Sequence, residues 1–267
     1  MGRLSARVAL VTGASRGIGE AIARRFAADG AAVAVTARTV DEGDNTLPGS
    51  ISSTAKSIVE AGATAIAIPA DLSSQEDRAR LVETVERELG PIDVLVNNAA
   101  ITYFRTVVDF DERRYRLMFE VQVRAPFELA QRVLPGMRDR GVGWILNISS
   151  GSSYHPQGPP YDNDLGPGWT VYGMCKAALE RFTTGLASEV YEDGIAVNVL
   201  SPSGLVLTPG VLHHRLHEVV PVERHETVDD TAEAAYLLCT GDPRSLTGRI
   251  VHTRTILDEA GALPPRH

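Results

Sequence analysis

The chain has 267 residues, 43% of them hydrophobic, and its 26 basic and 34 acidic residues give a formal net charge of −8. That apolar content supplies a sizeable core and excludes a disordered chain. The acidic balance, without a long basic run, argues against nucleic acid and anionic membrane surfaces as partners and leaves a small molecule as the expected ligand.

The opening segment MGRLSARVALVTG holds only the four-residue apolar run VALV, shorter than a signal-peptide core, and no later segment reaches the length of a membrane span. The expectation is a cytoplasmic protein. Seven short apolar runs come next in order: RVALVT (7–12), AVAVTA (32–37), TAIAIP (64–69), IDVLVN (92–97), WILNIS (144–149), IAVNVL (195–200) and RIVHT (249–253). Helical patterns separate them. This alternation predicts an α/β fold, a Rossmann-type doubly wound parallel seven-stranded sheet with helices on both faces, in a single domain over residues 1–267. Two polar stretches interrupt the rhythm, VDEGDNTLPGS (40–50) after the second strand and GSSYHPQGPPYDNDLGPG (151–168) after the fifth. Ligands bind outside the carboxyl ends of strands in such sheets, so both loops are candidates for shaping a site, with solvated insertions as the alternative. Cys175 and Cys239 fall on predicted helices without C-x-x-C spacing and read as core residues.

The first strand runs into TGASRGIGEAIARRFA, with glycines at 13, 17 and 19. Gly13 suits a tight turn, Gly17 lets backbone approach a pyrophosphate, Gly19 allows close helix–strand contact, and the helix N-terminus offers N–H groups to the anion. A purely structural glycine turn is the alternative. In FEVQVRAPFELA, Pro126 has no N–H to give the carbonyl of Gln122, while Phe119, Val123, Phe127 and Ala130 predict a helix that continues through the segment. VYGMCKAALERF (171–182) sets Tyr172 and Lys176 four apart on one helical face, beside a predicted buried stripe of Cys175, Leu179, Phe182 and Leu186. A nearby cation lowers a tyrosine pKa from its usual value near 10 and makes the phenol an acid/base; ordinary helix decoration is the alternative. His213 and His217 of HHRLH are four apart on a predicted helix, but no third ligand accompanies them, and they read as surface or lid histidines.

Together these segments resemble the short-chain dehydrogenase/reductase family. Its T-G-x-x-x-G-x-G turn is matched by Thr12, Gly13, Gly17 and Gly19, its adenine-contacting pair by Asp71 and Leu72, its N-N-A-G by NNAA (97–100), and its Y-x-x-x-K by Tyr172 and Lys176. The second serine of NISS, Ser150, takes the place of the family's catalytic serine; Ser149 is the alternative, although a strand would point it the other way. The insertion at 40–50, SPS after the sixth strand and the closing DPRSLTGRIVHTRTILDEAG are similar to the hydroxysteroid-dehydrogenase-like subgroup.

The resemblance implies an oxidoreductase that moves a hydride between NADP(H) and a carbonyl or secondary alcohol of a small molecule. It implies Ser150, Tyr172, Lys176 and Gln122 as the catalytic set. Cofactor contacts are expected from Gly13, Ser15, Arg16, Gly17, Ile18, Gly19, Arg38, Asp71, Leu72, Asn98, Ala99, Tyr172, Lys176 and Thr208. NADP(H) is preferred and NAD(H) possible, because Ala37 stands where NAD-selective relatives carry an acid and Arg16 and Arg38 are placed to meet a 2′-phosphate. A homo-oligomer, tetramer or dimer, built through the fourth and fifth helices is also implied. A non-catalytic dinucleotide-binding or sensing protein of the same fold is the alternative. Three departures bear on that choice: Ser150 and Tyr172 are separated by the long 151–168 loop, Ser203 takes a glycine position with Thr208 displaced by one, and Gln122 replaces an asparagine. At the last, the family uses the main-chain carbonyl to hold a relay water, so the side chain of Gln122 is expected to be a tolerated replacement.

Overall fold

The structure is a computed structural model that describes residues 2–161 and 167–262; residues 162–166 of the predicted 151–168 loop, and both ends of the predicted domain at 1 and 263–267, lie outside the described residues. The chain begins with β1 (Val8–Thr12), α1 (Gly17–Ala28), β2 (Ala32–Ala37), α2 (Ile51–Glu60), β3 (Thr64–Pro69) and α3 (Gln75–Glu88). It continues through β4 (Val94–Asn97), α4 (Glu112–Phe119), α5 (Ala125–Arg140), β5 (Gly143–Ile148), α6 (Thr170–Glu189) and β6 (Ile195–Ser201). It closes with β7 (Leu205–Val206), α7 (Pro209–His213), β8 (His225–Glu226), α8 (Val228–Thr240), β9 (Ile250–His252) and α9 (Thr253–Glu259).

All five residues of β1 are buried, as a strand covered on both faces requires. The period of two splits them between two cores. Ala9 and Val11 pack with Ile22 and Phe26 of α1, Ile51 of α2, Leu238 of α8 and Ile256 of α9, whereas Val8 and Leu10 pack with Leu81 of α3, Leu129 of α5 and Leu186 of α6. The parallel sheet runs β3-β2-β1-β4-β5-β6-β9. The chain leaves β1 in one direction and returns at β4 to continue in the other, so the order reverses between β1 and β4. That reversal opens a crevice at the carboxyl ends of these strands.

All seven predicted strands enter this sheet. A second sheet of two residues per strand, β7 beside β8, was not predicted, being too short to carry periodicity. Between α4 and α5 the helix does not run through regularly: residues Glu120–Arg124 form a π turn, and the N–H of Ala125 reaches back to the carbonyl of Glu120. The extra residue rotates the face of α5 by about 100°. Phe127, expected on the buried face, is therefore 51% exposed and rests against Phe182 at 5.8 Å between ring centroids. His213 ends α7 while His217 lies in a separate 3-10 turn beyond Arg215, whose φ is 56°, so the two do not share a helix. Among the described residues no helix is long and apolar enough to cross a membrane.

Candidate active site

A cleft of about 510 Å³ lies at the reversal point, bordered by the turn after β1 and the ends of β2, β4, β5 and β6. The turn is held by Asn98, just beyond the neighbouring strand β4, and by Thr12 of β1 itself. Asn98 Nδ2 donates to the carbonyls of Thr12 (2.9 Å) and Gly13 (3.1 Å), and Thr12 Oγ1 accepts from the N–H of Asn98 (3.0 Å) and of Ala99 (3.1 Å). Gly13 and Gly17 have φ of 64° and 60°, open to glycine at little strain. A Cβ on Gly13 would stand 2.8 Å from Ala99 Cα, one on Gly17 would stand 2.9 Å from Thr208 Cγ2, and one on Gly19 would stand 2.4 Å from Asn98 Nδ2. Arg16 precedes α1 in extended conformation without capping it, so the first N–H groups of the helix are free for an anion. Ser15 is buried and Ile18 half-buried beside them.

At the end of β2, Ala37 borders the cleft and Arg38 is exposed, with no ion pair or side-chain hydrogen bond among the described residues. Arg16 is engaged instead, donating to main-chain carbonyls of the 40–50 loop. Asp71 and Leu72 border the same end; Asp71 Oδ1 accepts from the N–H (2.9 Å) and hydroxyl (2.8 Å) of Ser73.

At the other end, Ser150 follows β5 and Tyr172 sits in the first turn of α6, both on the cleft; the Ser150 hydroxyl donates to Ser152 Oγ at 3.2 Å and accepts from the N–H of Ser152 at 3.3 Å. Ser149 points away, donating to Glu180 Oε1 at 2.6 Å. Lys176, one turn after Tyr172, is 3% exposed and donates from Nζ to the carbonyl of Ile148 at 2.9 Å. Burial lowers its pKa to about 8, against the opposing influence of Cys175 and Glu180. The phenol differs from expectation. Burial pushes Tyr172 up to about 12, a shift the Ser150 hydroxyl opposes and the neighbouring Cys175 adds to. Lys176 does not offset it, because its ammonium faces Ile148 and lies 5.5 Å from the ring centroid.

Gln122 is 1% exposed in the π turn. Its Nε2 donates to the carbonyl of Ile101 at 2.9 Å, while its buried Oε1 has no partner among the described residues. Thr208 borders the cleft against Gly17 and caps α7, accepting from the N–H of Val211 at 3.3 Å. Every expected residue thus lies at this cleft except Gly19, buried behind the turn against Asn98, and Gln122, which backs the cleft through Ile101.

Sequence reasoning missed an aromatic wall. Phe104 lies 4.5 Å from Trp169 and 5.3 Å from His214 between ring centroids, and Trp169 lies 6.1 Å from Tyr172. The only sequence signal is position: Phe104 follows NNAA closely and Trp169 immediately precedes α6. Glu226 was missed as well. Buried at 5% exposure, its carboxylate accepts from the N–H of Ser203 (2.7 Å) and Gly204 (3.1 Å) and the hydroxyl of Thr231 (3.0 Å). No pattern in the sequence links these residues.

The family model for short chain dehydrogenase matches residues 7–216. The chain is 33% identical over 260 residues to dehydrogenase/reductase SDR family member 4 of Homo sapiens, covering 93% of this chain and 86% of that protein. It is 32% identical over 264 residues to the human hydroxysteroid dehydrogenase-like protein 2, covering 97% of this chain and 59% of the relative. A blue fluorescent protein from a metagenomic library, solved in complex with NADPH, superposes with a TM-score of 0.80 at 33% identity, covering 94% of this chain and 97% of the other. The chain belongs to the short-chain dehydrogenase/reductase family and is an NAD(P)-dependent oxidoreductase with hydroxysteroid-dehydrogenase-like relatives.

Proposed function

We propose that the protein transfers a hydride between NADP(H) and the carbonyl or secondary alcohol of a neutral, largely apolar small molecule. The observation that carries the reading is the meeting of Ser150, Tyr172 and Lys176 at one end of a cleft whose other end is an anion-accepting glycine turn. The residues fit a dinucleotide: glycines whose Cβ atoms have no room, free N–H groups at the start of α1, and an unpaired Arg38 beside an Ala37 that puts no carboxylate against a 2′-phosphate. Structural neighbours solved with NADPH or NADP support the same choice.

Once bound, the nicotinamide supplies the hydride chemistry. Tyr172 gives a proton to the substrate oxygen in reduction and recovers it in oxidation, and the Ser150 hydroxyl polarises that oxygen. Lys176 holds the ribose of the cofactor, its ammonium anchored on the carbonyl of Ile148. Ile101, Phe104, Trp169, Leu205, Val211 and Leu216 line the substrate end, which supports an apolar substrate. Phe127 and Met174, apolar and about half exposed on α5 and α6, support a homo-oligomer through these helices. The test is a panel of carbonyls and alcohols followed by nicotinamide absorbance with each cofactor. Turnover with NADPH on neutral ring-bearing ketones is expected; binding of NADPH without turnover across the panel would overturn catalysis.

A further inference from the structure

We infer that His252 is a positioning residue for Ser150: through Tyr154 it clasps the turn that follows Ser150 to the loop after β6. The inference rests on the role proposed above for Ser150. Upstream, the chain is fixed by the sheet, since the N–H of Ser149 bonds the carbonyl of Leu200 at 2.8 Å. Downstream it leaves the sheet in a 3-10 turn, Gly151–Ser153. The N–H of Ser153 closes this turn on the carbonyl of Ser150 (3.0 Å), and the N–H of Tyr154 on that of Gly151 (3.2 Å). The turn directs the Ser150 hydroxyl, which donates to and accepts from Ser152. It also lies against the helix that carries Tyr172, for a Cβ on Gly173 would stand 2.4 Å from the carbonyl oxygen of Ser152. A small shift of the turn therefore moves Ser150 Oγ relative to the phenol it works with.

The far end of the turn is held by the edge strand β9. Tyr154 is 61% exposed, so packing does not fix its ring. Its hydroxyl bonds Nε2 of His252, and the two ring centroids are 5.5 Å apart. His252 is itself set by backbone pairing, opposite Ser201 in the register of β6 and β9, and its Nδ1 bonds the carbonyl of Pro202 at 3.4 Å. That carbonyl can only accept, so in the neutral ring Nδ1 carries the proton and Nε2 accepts from the Tyr154 hydroxyl. The anchorage is rigid. Buried Glu226 binds the N–H groups of Ser203 and Gly204, and Ser203 Oγ accepts from the N–H of Arg254 at 2.9 Å. The serine that stands in the family's glycine position thus ties the loop after β6 to the start of α9. Pro202 and Gly204 of that loop border the cleft, as Ser150 and Gly151 do. One imidazole, carried on a strand, therefore spans two loops that flank the site.

Steady-state kinetics on the best substrate of the panel, NADPH dissociation constants and amide hydrogen exchange of the cofactor-free protein test the clasp. His252→Ala and Tyr154→Phe are each expected to lower kcat by about tenfold, the loss that follows a displacement of less than an ångström in a reacting group, and to leave the NADPH dissociation constant unchanged. The double variant should be no slower than either single one, since both cut the same link. In His252→Gln the amide oxygen stands near the place of Nε2 and can accept from Tyr154, whereas in His252→Asn the amide nitrogen stands near Nδ1 and serves Pro202 alone. Gln should recover most of kcat and Asn little. Exchange should quicken at 151–154 in His252→Ala and Tyr154→Phe alike, with the sheet unaffected. Additive losses in the double variant, equal recovery by Gln and Asn, unchanged kcat in His252→Ala, or exchange that is unaltered at 151–154 or faster throughout the sheet would overturn the clasp. Ser150→Ala is the control: normal turnover there, or none with any member of the panel in the wild type, would defeat the catalytic reading, and the clasp would still be decided by exchange at 151–154.

Discussion

Lys176 works against the fold that holds it. Its pKa of about 8 in the folded protein lies below the 10.5 of an exposed lysine, so carrying the proton below pH 8 destabilises the native state by roughly 3 kcal/mol. The penalty fades as the pH rises from about 8 to 10.5, because the unfolded chain then holds the proton that the folded chain has lost. Lys176→Met is accordingly expected to melt at a higher temperature than wild type at pH 7 while losing turnover, with the two melting curves converging toward pH 10.5. The same residue is expected to set the pH profile. Tyr172, at about 12, keeps its proton throughout the working range, so kcat/KM for carbonyl reduction should fall above about pH 8 as Lys176 deprotonates. A profile flat to pH 10 would remove Lys176 from the rate. Tyr172→Phe keeps the ring and removes the donor; turnover should drop at least ~10²-fold with NADPH affinity nearly unchanged, measured by steady-state kinetics and fluorescence titration.

At the scale of elements, the π turn decides what Gln122 can do. Pro126 cannot serve the carbonyl of Gln122, and the turn buries the side chain against Ile101. Gln122→Ala should lower turnover by less than ~tenfold if the carbonyl is the relay acceptor. It should also lower the melting temperature, because the Ile101 carbonyl loses its donor, a loss of about 1–3 kcal/mol. A rate loss as large as that of Tyr172→Phe would assign the side chain to the chemistry. The seven strands of the main sheet were legible because buried parallel strands are written as continuous apolar runs, and the glycine turn and the Tyr172–Lys176 pair because their spacing is local. The π turn, the aromatic wall and the Glu226 contacts were not, since each depends on residues that meet only after the chain has folded. The tyrosine pKa escapes a reading of the sequence for a related reason: helical spacing brings Lys176 near Tyr172, but the direction of its ammonium is set by the carbonyl of Ile148 on another element.

Across the whole molecule, the end proposed to be catalytic draws on β5 and α6 and the glycine turn on β1 and α1; Asn98 ties that turn to the end of β4, and buried side chains tie β4 to β5 and α6. Asn97 Nδ2 donates to Asn147 Oδ1 at 2.8 Å across the register of β4 and β5, and Asn147 Nδ2 donates to Thr183 Oγ1 of α6 at 2.8 Å. This buried chain lies behind the site without entering the cleft. Asn147→Leu should lower stability by about 1–3 kcal/mol, because the amide of Asn97 and the hydroxyl of Thr183 lose their partner. Chemical denaturation would measure it, and a change below about 0.5 kcal/mol would show that the chain carries little of the fold's stability.

The segment from Leu207 to Arg224 puts no residue of α7 or of its 3-10 turns into the core. Its two ends are fixed by the β7–β8 pair and by Glu226. The cleft surface there, proposed above to face the substrate, is thus carried on a stretch whose helical turns give no side chain to the core. Evolution can rewrite such a stretch quickly, and relatives with the same sheet and the same Tyr–Lys pair can diverge in diet while sharing one engine. The segment is a replaceable cartridge, and swapping residues 209–224 between family members, with Thr208 kept in place against Gly17, is expected to transplant substrate choice and leave the dinucleotide site as it was.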